Sequence, residues 1–474
     1  MTEEKENASY NVNEVGPDDI PSNEITTAEK KFIRKMDLLL IPMFGSMYFF
    51  SYLDRSNIGN AKLAGLMEDI NLTDSQFSTA SSVLYATYIT VQIPGVLLFR
   101  MFKANHYLAG MMSAWALVTI FSVFVNSYGS LVATRVLIGL FEGSFYSCLS
   151  VYISNTYQPN EMGRRFAYLF IFSSFSSAFG GLIATGITEI NSGPLPRWKY
   201  LYLIEGLLTM VAVCFVFVFL PSEPRYIAKN QEEREIWDLR EKRRALFLGS
   251  GKFDKNQVKE TFKDSKLYFS IIIQFCQDIC MYGFTTFLPS ILYGIGFNVL
   301  EAQYLTIPVY MLAGGIFLTV ATLSDRWKIR GPIIIFMNLI SISGYIILLA
   351  VHNNSVKYFA CYLITFALYS NVGLNETWLA GNSAPIDKRS TAIAANQTFG
   401  NVAGIIAPLV YRSSPYILGH SFTIACLVVS CITAAIQSYI FYRINRERQL
   451  LMIHEEEKED HCIGDKSIHF QYMI

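Results

Sequence analysis

The chain is short of charge. Asp, Glu, Lys and Arg make up 16% of its 474 residues, and 38 basic against 38 acidic side chains leave a formal net charge of zero. A soluble domain carries about 25% charged residues, and a neutral chain has no basic footprint for nucleic acid. Histidine is scarcer still. His106, His352 and His420 sit at the ends of apolar runs and the other three lie in the C-terminal tail, so a proton carried through an apolar interior must ride on carboxylates. Of the eight cysteines, Cys148, Cys214, Cys276 and Cys280 fall inside apolar runs and Cys462 in the tail, which argues against a disulfide framework. Cys276 and Cys280 lie one helical turn apart, but without nearby histidines they read as packing residues rather than a metal site. No Gly-rich phosphate loop or ATPase signature occurs, and no nucleophile with its base can be assembled. We therefore expect neither a cofactor nor an enzyme. The first apolar run starts near Leu38, behind a polar acidic stretch unlike a signal sequence.

Hydrophobic residues are abundant, at 52%, and they come in blocks. One soluble core could not hide so much apolar surface, so the lipid bilayer is the expected solvent. A spanning helix takes about 20 mostly apolar residues. That rule predicts Leu38–Ile58, Phe77–Phe99, Leu108–Val125, Leu131–Ile153, Phe166–Ile187 and Leu201–Leu220. It then predicts Leu267–Leu288, Ala302–Leu323, Pro332–Val351, Tyr358–Leu379, Thr391–Tyr411 and Phe422–Tyr442. The expected fold is an all-α membrane protein of about 12 helices in two six-helix bundles. Residues 35–221 and 267–443 would form the bundles, 222–266 a charged linker, and 1–34 and 444–474 the tails. The stretches before Thr26 and after Leu450 read as disordered.

Basic residues set the orientation. With the amino terminus in the cytosol, about sixteen Lys and Arg fall on the inner side outside the linker, Lys30 and Arg448 among them, against about five outside, from Lys62 to Arg412. Both termini are then cytosolic, and the sequons at Asn71 and Asn353 lie outside. The halves also echo each other. Pro159–Ala167 and Pro385–Ala392 each place a turn, an acid and paired bases before a new helix. Two repeats rocking about a central site are the design of an alternating-access carrier.

Several motifs carry a more specific likeness: Lys35-Met-Asp37, Tyr52-Leu-Asp54-Arg55-Ser-Asn57-Ile-Gly59-Asn-Ala61, Arg135-Val-Leu-Ile-Gly139-Leu-Phe-Glu142-Gly143, Arg197-Trp198 through Glu205-Gly206, Leu220-Pro221-Ser-Glu-Pro224, Trp378–Asn382, Lys388-Arg389 and Gly400-Asn401-Val-Ala-Gly404. Together, over Lys35 to Arg443, the chain resembles the major facilitator superfamily. Within it, the chain is similar to the anion:cation symporters and their fungal allantoate permease branch, which includes carriers for nicotinate, pantothenate and biotin. One loop departs from the superfamily pattern: Phe99-Arg100-Met-Phe-Lys103 lacks the usual Asp-Arg, whereas Ser324-Asp325-Arg326 keeps it in the second half.

Charges inside hydrocarbon are costly and usually face a cavity or a partner. Arg55 stays charged and can grip a carboxylate with two parallel hydrogen bonds, and the resemblance implies that it binds the substrate anion. The alternative for Asp54 and Arg55 is a helix-end ion pair. Arg135 and Glu142 stand two turns apart on one side of a helix. At mid-bilayer, desolvation favours the protonated form of Glu142, and a neighbouring Arg135 opposes that. Glu142, Arg135, Asp54 and Asp278 are the candidate proton-coupling residues, with a permanent Arg135–Glu142 pair as the alternative. Tyr52, Asn57, Tyr85, Tyr88, Gln92, Asn396, Gln397 and Asn401 are candidates to line the substrate site, since amides are costly in lipid, although packing alone would account for the tyrosines. Asp325, Arg326, Arg164, Arg165 and Glu376 are candidate gates. Glycines 139, 143, 180 and 181 read as close-contact positions.

The resulting expectation is a monomeric secondary carrier in the plasma membrane, or in an internal one, that couples protons to uptake of a small organic anion of the nicotinate or allantoate type. An uncoupled facilitator or exporter, and a nutrient receptor that moves nothing, are the alternatives.

Overall fold

The computed structural model describes residues 26–99, 101–188, 193–248, 255–384, 386–412, 414–454, 465 and 470–474. Among the described residues every regular element is helical. The first six long helices are α1 (Thr27–Ala61), α2 (Asp74–Phe99), α3 (Ala104–Phe121), α4 (Tyr128–Thr156, interrupted at Gly143 and Ser144), α5 (Pro159–Thr188) and α6 (Arg197–Phe219). Two polar helices follow, α7 (Gln231–Leu248) and α8 (Lys255–Lys263). The second six are α9 (Ser265–Ile295), α10 (Thr306–Trp327), α11 (Gly331–Ala350), α12 (Asn354–Leu368 continued by Ser370–Gly381), α13 (Ile386–Gly400 continued by Val402–Val410) and α14 (Ile417–His454). Nine of the twelve are long and apolar enough on length and composition alone to cross a bilayer. The remaining three, α2, α5 and α12, are helical where the apolar runs predict spans.

Local signals start these helices. The Thr26 hydroxyl accepts from Glu29 N at 3.2 Å, and Ser127 forms a reciprocal capping box with Ser130 at the head of α4. Asn353 caps α12 through Ser355 N and Val356 N. Each cap satisfies backbone donors that have no partner within the first helical turn. The bilayer is written on α6, where Leu207, Val211, Phe215 and Val218 are 50–69% exposed on one face. Tyr202, Glu205, Thr209 and Val216 are buried on the other.

Within the first half α3 packs on α6, α2 on α4, and α1 on α5 and α6. In the second, α11 packs on α12 and α14, and α9 on α13 and α14. The halves meet through α5 against α10, α2 against α13 and α1 against α9. Small residues allow this. A Cβ on Gly181 of α5 would lie 2.6 Å from Thr306 Oγ1, and one on Gly59 of α1 only 2.3 Å from Thr286 O of α9.

Of the ends expected to be disordered, the stretch before Thr26 lies outside the described residues, and the part after Leu450 that is described is ordered. Helix α1 begins at Thr27 and α14 runs to His454, while Asp465 and residues 470–474 fold back onto the second half. The Met473 carbonyl accepts from Trp378 Nε1 and Asn382 Nδ2, both at 2.9 Å. Tyr472 stacks on Phe441 at 4.8 Å. Helix α7 is fastened to the first half in the same manner: Arg240 bonds Glu29 and Glu161, and Lys35 bonds Glu233 at 2.6 Å. These clasps share the face on which α1 begins and α14 ends.

Candidate substrate and proton site

Glycine spacing on α4 sets up the site. A Cβ on Gly139 would meet Leu84 O at 2.4 Å, and one on Gly143 would meet Tyr88 O at 2.5 Å. With neither present, α2 lies against α4 and the Tyr88 ring reaches the charges between them. On α1, Ser51 and Arg55 are four residues apart and share a face. Both turn to Glu142. Its Oε1 accepts from Arg55 Nη2 at 2.5 Å, Arg55 Nε at 3.2 Å and Ser51 Oγ at 2.5 Å. The Arg55 guanidinium also sits over two rings, 4.8 Å from Tyr88 and 5.1 Å from Tyr52. Such cation–π contacts gain strength when desolvated, and Arg55 is only 9% exposed.

The second half closes on this group. Tyr282 of α9 approaches Tyr85 with ring centroids 4.7 Å apart and donates to Asn401 Oδ1 at 2.6 Å. The Tyr52 hydroxyl reaches Met281 Sδ at 3.7 Å. Tyr52, Tyr85, Tyr88, Arg55, Glu142, Tyr282 and Asn401 thus converge at the interface of the bundles. The arrangement is a buried cation walled by aromatic rings and held by one removable carboxylate.

The other candidates divide among separate places. The permanent Arg135–Glu142 pair, the alternative to a coupling role, does not form: Glu142 pairs with Arg55. Seven residues span about 10 Å along a helix axis, so two side chains on one face need not meet. Arg135 instead donates to the Tyr202 hydroxyl and lies over that ring. Nor do Asp54 and Arg55 form a helix-end pair, because α1 continues past them to Ala61. Asp54 turns away and accepts from Trp115 Nε1 and Thr209 Oγ1, each at 3.1 Å. Asn57 is buried with neither amide atom hydrogen-bonded. Gln92 Oε1 accepts from Thr398 Oγ1 at 2.8 Å across the bundle interface.

Asn396 is fully inside the second half, bonded to Ser270 and Gln274. Asp278 joins the same network through Gln274 Nε2 at 3.3 Å. Gln397 donates to Glu376 at 2.7 Å, and Glu376 also accepts from Tyr146 across the bundles. Arg165 pairs with Asp37 at 2.6 Å, which ties α5 to α1 within one half. Arg326 is exposed on the last turn of α10. The side chains of Asp325 and Arg164 lie outside the described residues. Sequence reasoning missed Ser51, Tyr146 and Tyr282 as site residues. Ser51 and Tyr282 each stand one turn from a residue that charge alone had marked, Arg55 and Asp278.

A twelve-helix membrane fold with a buried charged and aromatic site where two bundles meet is the architecture of a transporter. Residues 44–408 match the Major Facilitator Superfamily model, and the chain belongs to that family. An uncharacterized transporter of Schizosaccharomyces pombe is 46% identical over 100% of this chain and 99% of its own. The high-affinity nicotinic acid transporter of Saccharomyces cerevisiae is 34% identical over 94% of this chain and 85% of its own. Among solved structures, an inward-facing bacterial homolog of the human lysosomal transporter Spinster superposes with a TM-score of 0.65 at 14% identity, covering 83% of this chain and 95% of that one.

Proposed function

We propose that the protein imports a small aromatic carboxylate of the nicotinate type together with protons, by alternating access. The observation that carries this reading is the Arg55–Glu142 pair beneath the Tyr52 and Tyr88 rings. An incoming carboxylate competes with Glu142 for the guanidinium, and the rings offer a planar apolar body a place to stack. Once displaced, Glu142 has lost its cation in a water-poor interior, and protonation is its least costly state. Anion and proton then cross as one unit. The likeness to the nicotinic acid transporter supports the substrate class.

The face on which α1 begins and α14 ends is the cytosolic one, since it holds the basic excess, and the plasma membrane is the proposed site of action. Each monomer contains a whole site. Interhelical bonds across the bundles, such as Tyr146–Glu376 and Ser177–Tyr369 at 2.9 Å, are contacts that rocking must break and remake.

Uptake of nicotinate and other carboxylate nutrients into vesicles holding the purified protein tests this. An inward proton gradient should drive accumulation of one of them, Arg55→Ala should abolish it, and Glu142→Gln should leave exchange without accumulation. Equilibration indifferent to the gradient would make the protein a facilitator, and binding without flux would make it a receptor.

A further inference from the structure

On the second half's side of the site stands a carboxyl that no cation answers. Asp278 and Tyr282 are four residues apart on α9 and share a face. Tyr282 lies against Tyr85 and donates to Asn401, and Met281 meets the Tyr52 hydroxyl. The Asp278 carboxyl is close enough to Tyr52 and Tyr282 to act on both electrostatically. It is 2% exposed. A Cβ on Gly400 of α13 would stand 2.5 Å from Asp278 Oδ2, so the glycine lets α13 close over the carboxyl.

The surrounding hydrogen bonds fix what faces Asp278. Asn375 Nδ2 donates to the Ser270 carbonyl at 3.0 Å, which orients that amide, because a backbone carbonyl only accepts. The same nitrogen donates to Gln274 Oε1 at 2.8 Å, and Asn396 Nδ2 does so at 3.3 Å. Gln274 must then turn its Nε2 to Asp278, where it stands 3.3 Å from both carboxyl oxygens. Asp278 thus receives one neutral donor.

The elements packed on α9 add no counter-charge. Among the described residues, the ionisable group that acts on Asp278 is another acid, Glu376 of α12. Lys357 lies in the first turn of α12, and α14 has no base between His420 and Arg443. On α13, Lys388 and Arg389 stand about three turns from Gly400. Arg55 of α1 is taken by Glu142. An ionised Asp278 would be a buried anion with a single amide donor, a state relieved by taking up a proton. The neutral carboxyl then carries an O–H. The Gln274 amide offers it no acceptor, since Oε1 is filled by two other amides.

We propose that Asp278 is a neutral carboxylic acid in the resting carrier and donates its O–H to an acceptor on the substrate, across from the carboxylate held by Arg55. The substrate class narrows accordingly, to an aromatic ring with a carboxylate on one side and an uncharged lone-pair nitrogen on the other. Arg55 reads the charge and Asp278 reads the ring nitrogen. A ring without that nitrogen leaves a buried O–H unpaired, and a ring with a quaternary nitrogen has no lone pair to offer. Asp278 is a specificity-determining residue.

This inference rests on the nicotinate reading and is tested apart from it. Binding of nicotinate, benzoate and N-methylnicotinate is measured on the purified protein. The wild type should hold nicotinate roughly five- to a hundredfold tighter than either of the others, the penalty for an unpaired buried donor. Asp278→Leu should erase that preference by weakening nicotinate. Asp278→Asn, whose amide still donates, should keep most of it. Infrared difference spectra supply a readout that a packing role would not move and that does not depend on the leucine variant folding. A protonated-carboxyl carbonyl band, lost in Asp278→Asn, should shift on adding nicotinate to the wild type and stay in place on adding benzoate.

Equal binding of nicotinate and benzoate by a wild type that still accumulates nicotinate would overturn the role of Asp278 and leave the function standing. Tighter binding of N-methylnicotinate would overturn it too, since an ionised Asp278 prefers a cation. A preference that survives in Asp278→Leu, or a spectrum that loses no band in Asp278→Asn, would also refute it. If the wild type neither binds nor moves any of the three, the nicotinate reading fails and this inference fails with it.

Discussion

The Tyr146 hydroxyl of α4 lies 2.9 Å from both carboxylate oxygens of Glu376 on α12, 230 residues away in the chain. This contact joins the two bundles close to the Arg55 site, since the Tyr146 ring packs on Tyr48 at 5.4 Å and Tyr48 packs on Tyr52 at 5.0 Å. Tyr146→Phe keeps the ring and removes the hydrogen bond. A hydrogen bond contributes about 0.5–1.5 kcal/mol net, so the balance between closed and separated bundles should move roughly two- to tenfold. Faster hydrogen exchange over Ser370–Gly381 would report it. Exchange unchanged from wild type would show that the contact does not hold the bundles together.

Breaking the Arg55–Glu142 pair should destabilise more than removing it. Glu142→Gln leaves the buried guanidinium without its counter-charge, a change of about 3–5 kcal/mol in comparable pairs. The double variant Arg55→Met, Glu142→Gln should recover most of the thermal midpoint without recovering transport. Arg55→Lys keeps the charge but not the planar fork, and should lower nicotinate affinity at least tenfold. Equal midpoints for the single and double variants would mean that the pair is not thermodynamically coupled.

Gly59→Ala tests the close approach of α1 and α9. The added Cβ would lie 2.3 Å from Thr286 O, a backbone atom that cannot rotate away. The helices must part at the face opposite the one on which α1 begins. In a cysteine-free background, Thr286→Cys should react faster with a membrane-impermeant maleimide when Gly59→Ala is present, and transport should slow. Identical labelling with and without the change would place the flexibility elsewhere.

Deleting residues 470–474 should loosen the end of the second half. The segment supplies the Met473 carbonyl to Trp378 and Asn382 and the Ile474 carbonyl to Arg330 N. It also supplies the Tyr472 ring to Phe441. Without it the Trp378 indole loses its acceptor, and the emission of a single-tryptophan variant should shift to longer wavelength with a lower thermal midpoint. An unshifted spectrum would show that the segment is not docked in solution.

Two acids outside the membrane predict the response to pH. Glu233 is held below its ordinary value, first by the Lys35 ammonium and then by the backbone N–H groups of Lys229 and Asn230. For Asp264, burial acts upward, but Lys266 and Lys388 outweigh it and hold the carboxyl below its ordinary value. A depressed carboxyl stabilises the fold above its unfolded value and loses that contribution as pH falls through the folded one. The midpoint difference between wild type and Asp264→Asn should therefore be full at neutral pH and shrink in acid, below the ordinary carboxylate range. A difference that grew on acidification would contradict the assigned ion pairs.

The fold was legible because the bilayer imposes a crude rule. A run of about 20 apolar residues is a spanning helix whatever its neighbours, so α1 and α6 could be placed from their own residues. Gly139 and Gly143 read correctly as contact points, since a missing side chain has the same meaning in any packed helix pair. Pairing obeyed no such rule. Arg135 and Glu142 share a face of α4, and Asp54 and Arg55 are neighbours, yet each found its partner on another helix: Tyr202, Arg55, Trp115 and Glu142. Helical periodicity states which side of a helix a charge occupies, not which helix stands there. The docked C-terminal segment escaped for a related reason, because Phe470–Ile474 is short and follows the charged stretch Glu455–Asp460, while its backbone bonds depend on Trp378, Asn382 and Asn445. The sequence by itself determined that these charges are buried in a membrane bundle. Only the tertiary structure decided which cation each acid faces, because buried charges pair by distance in space and not along the chain.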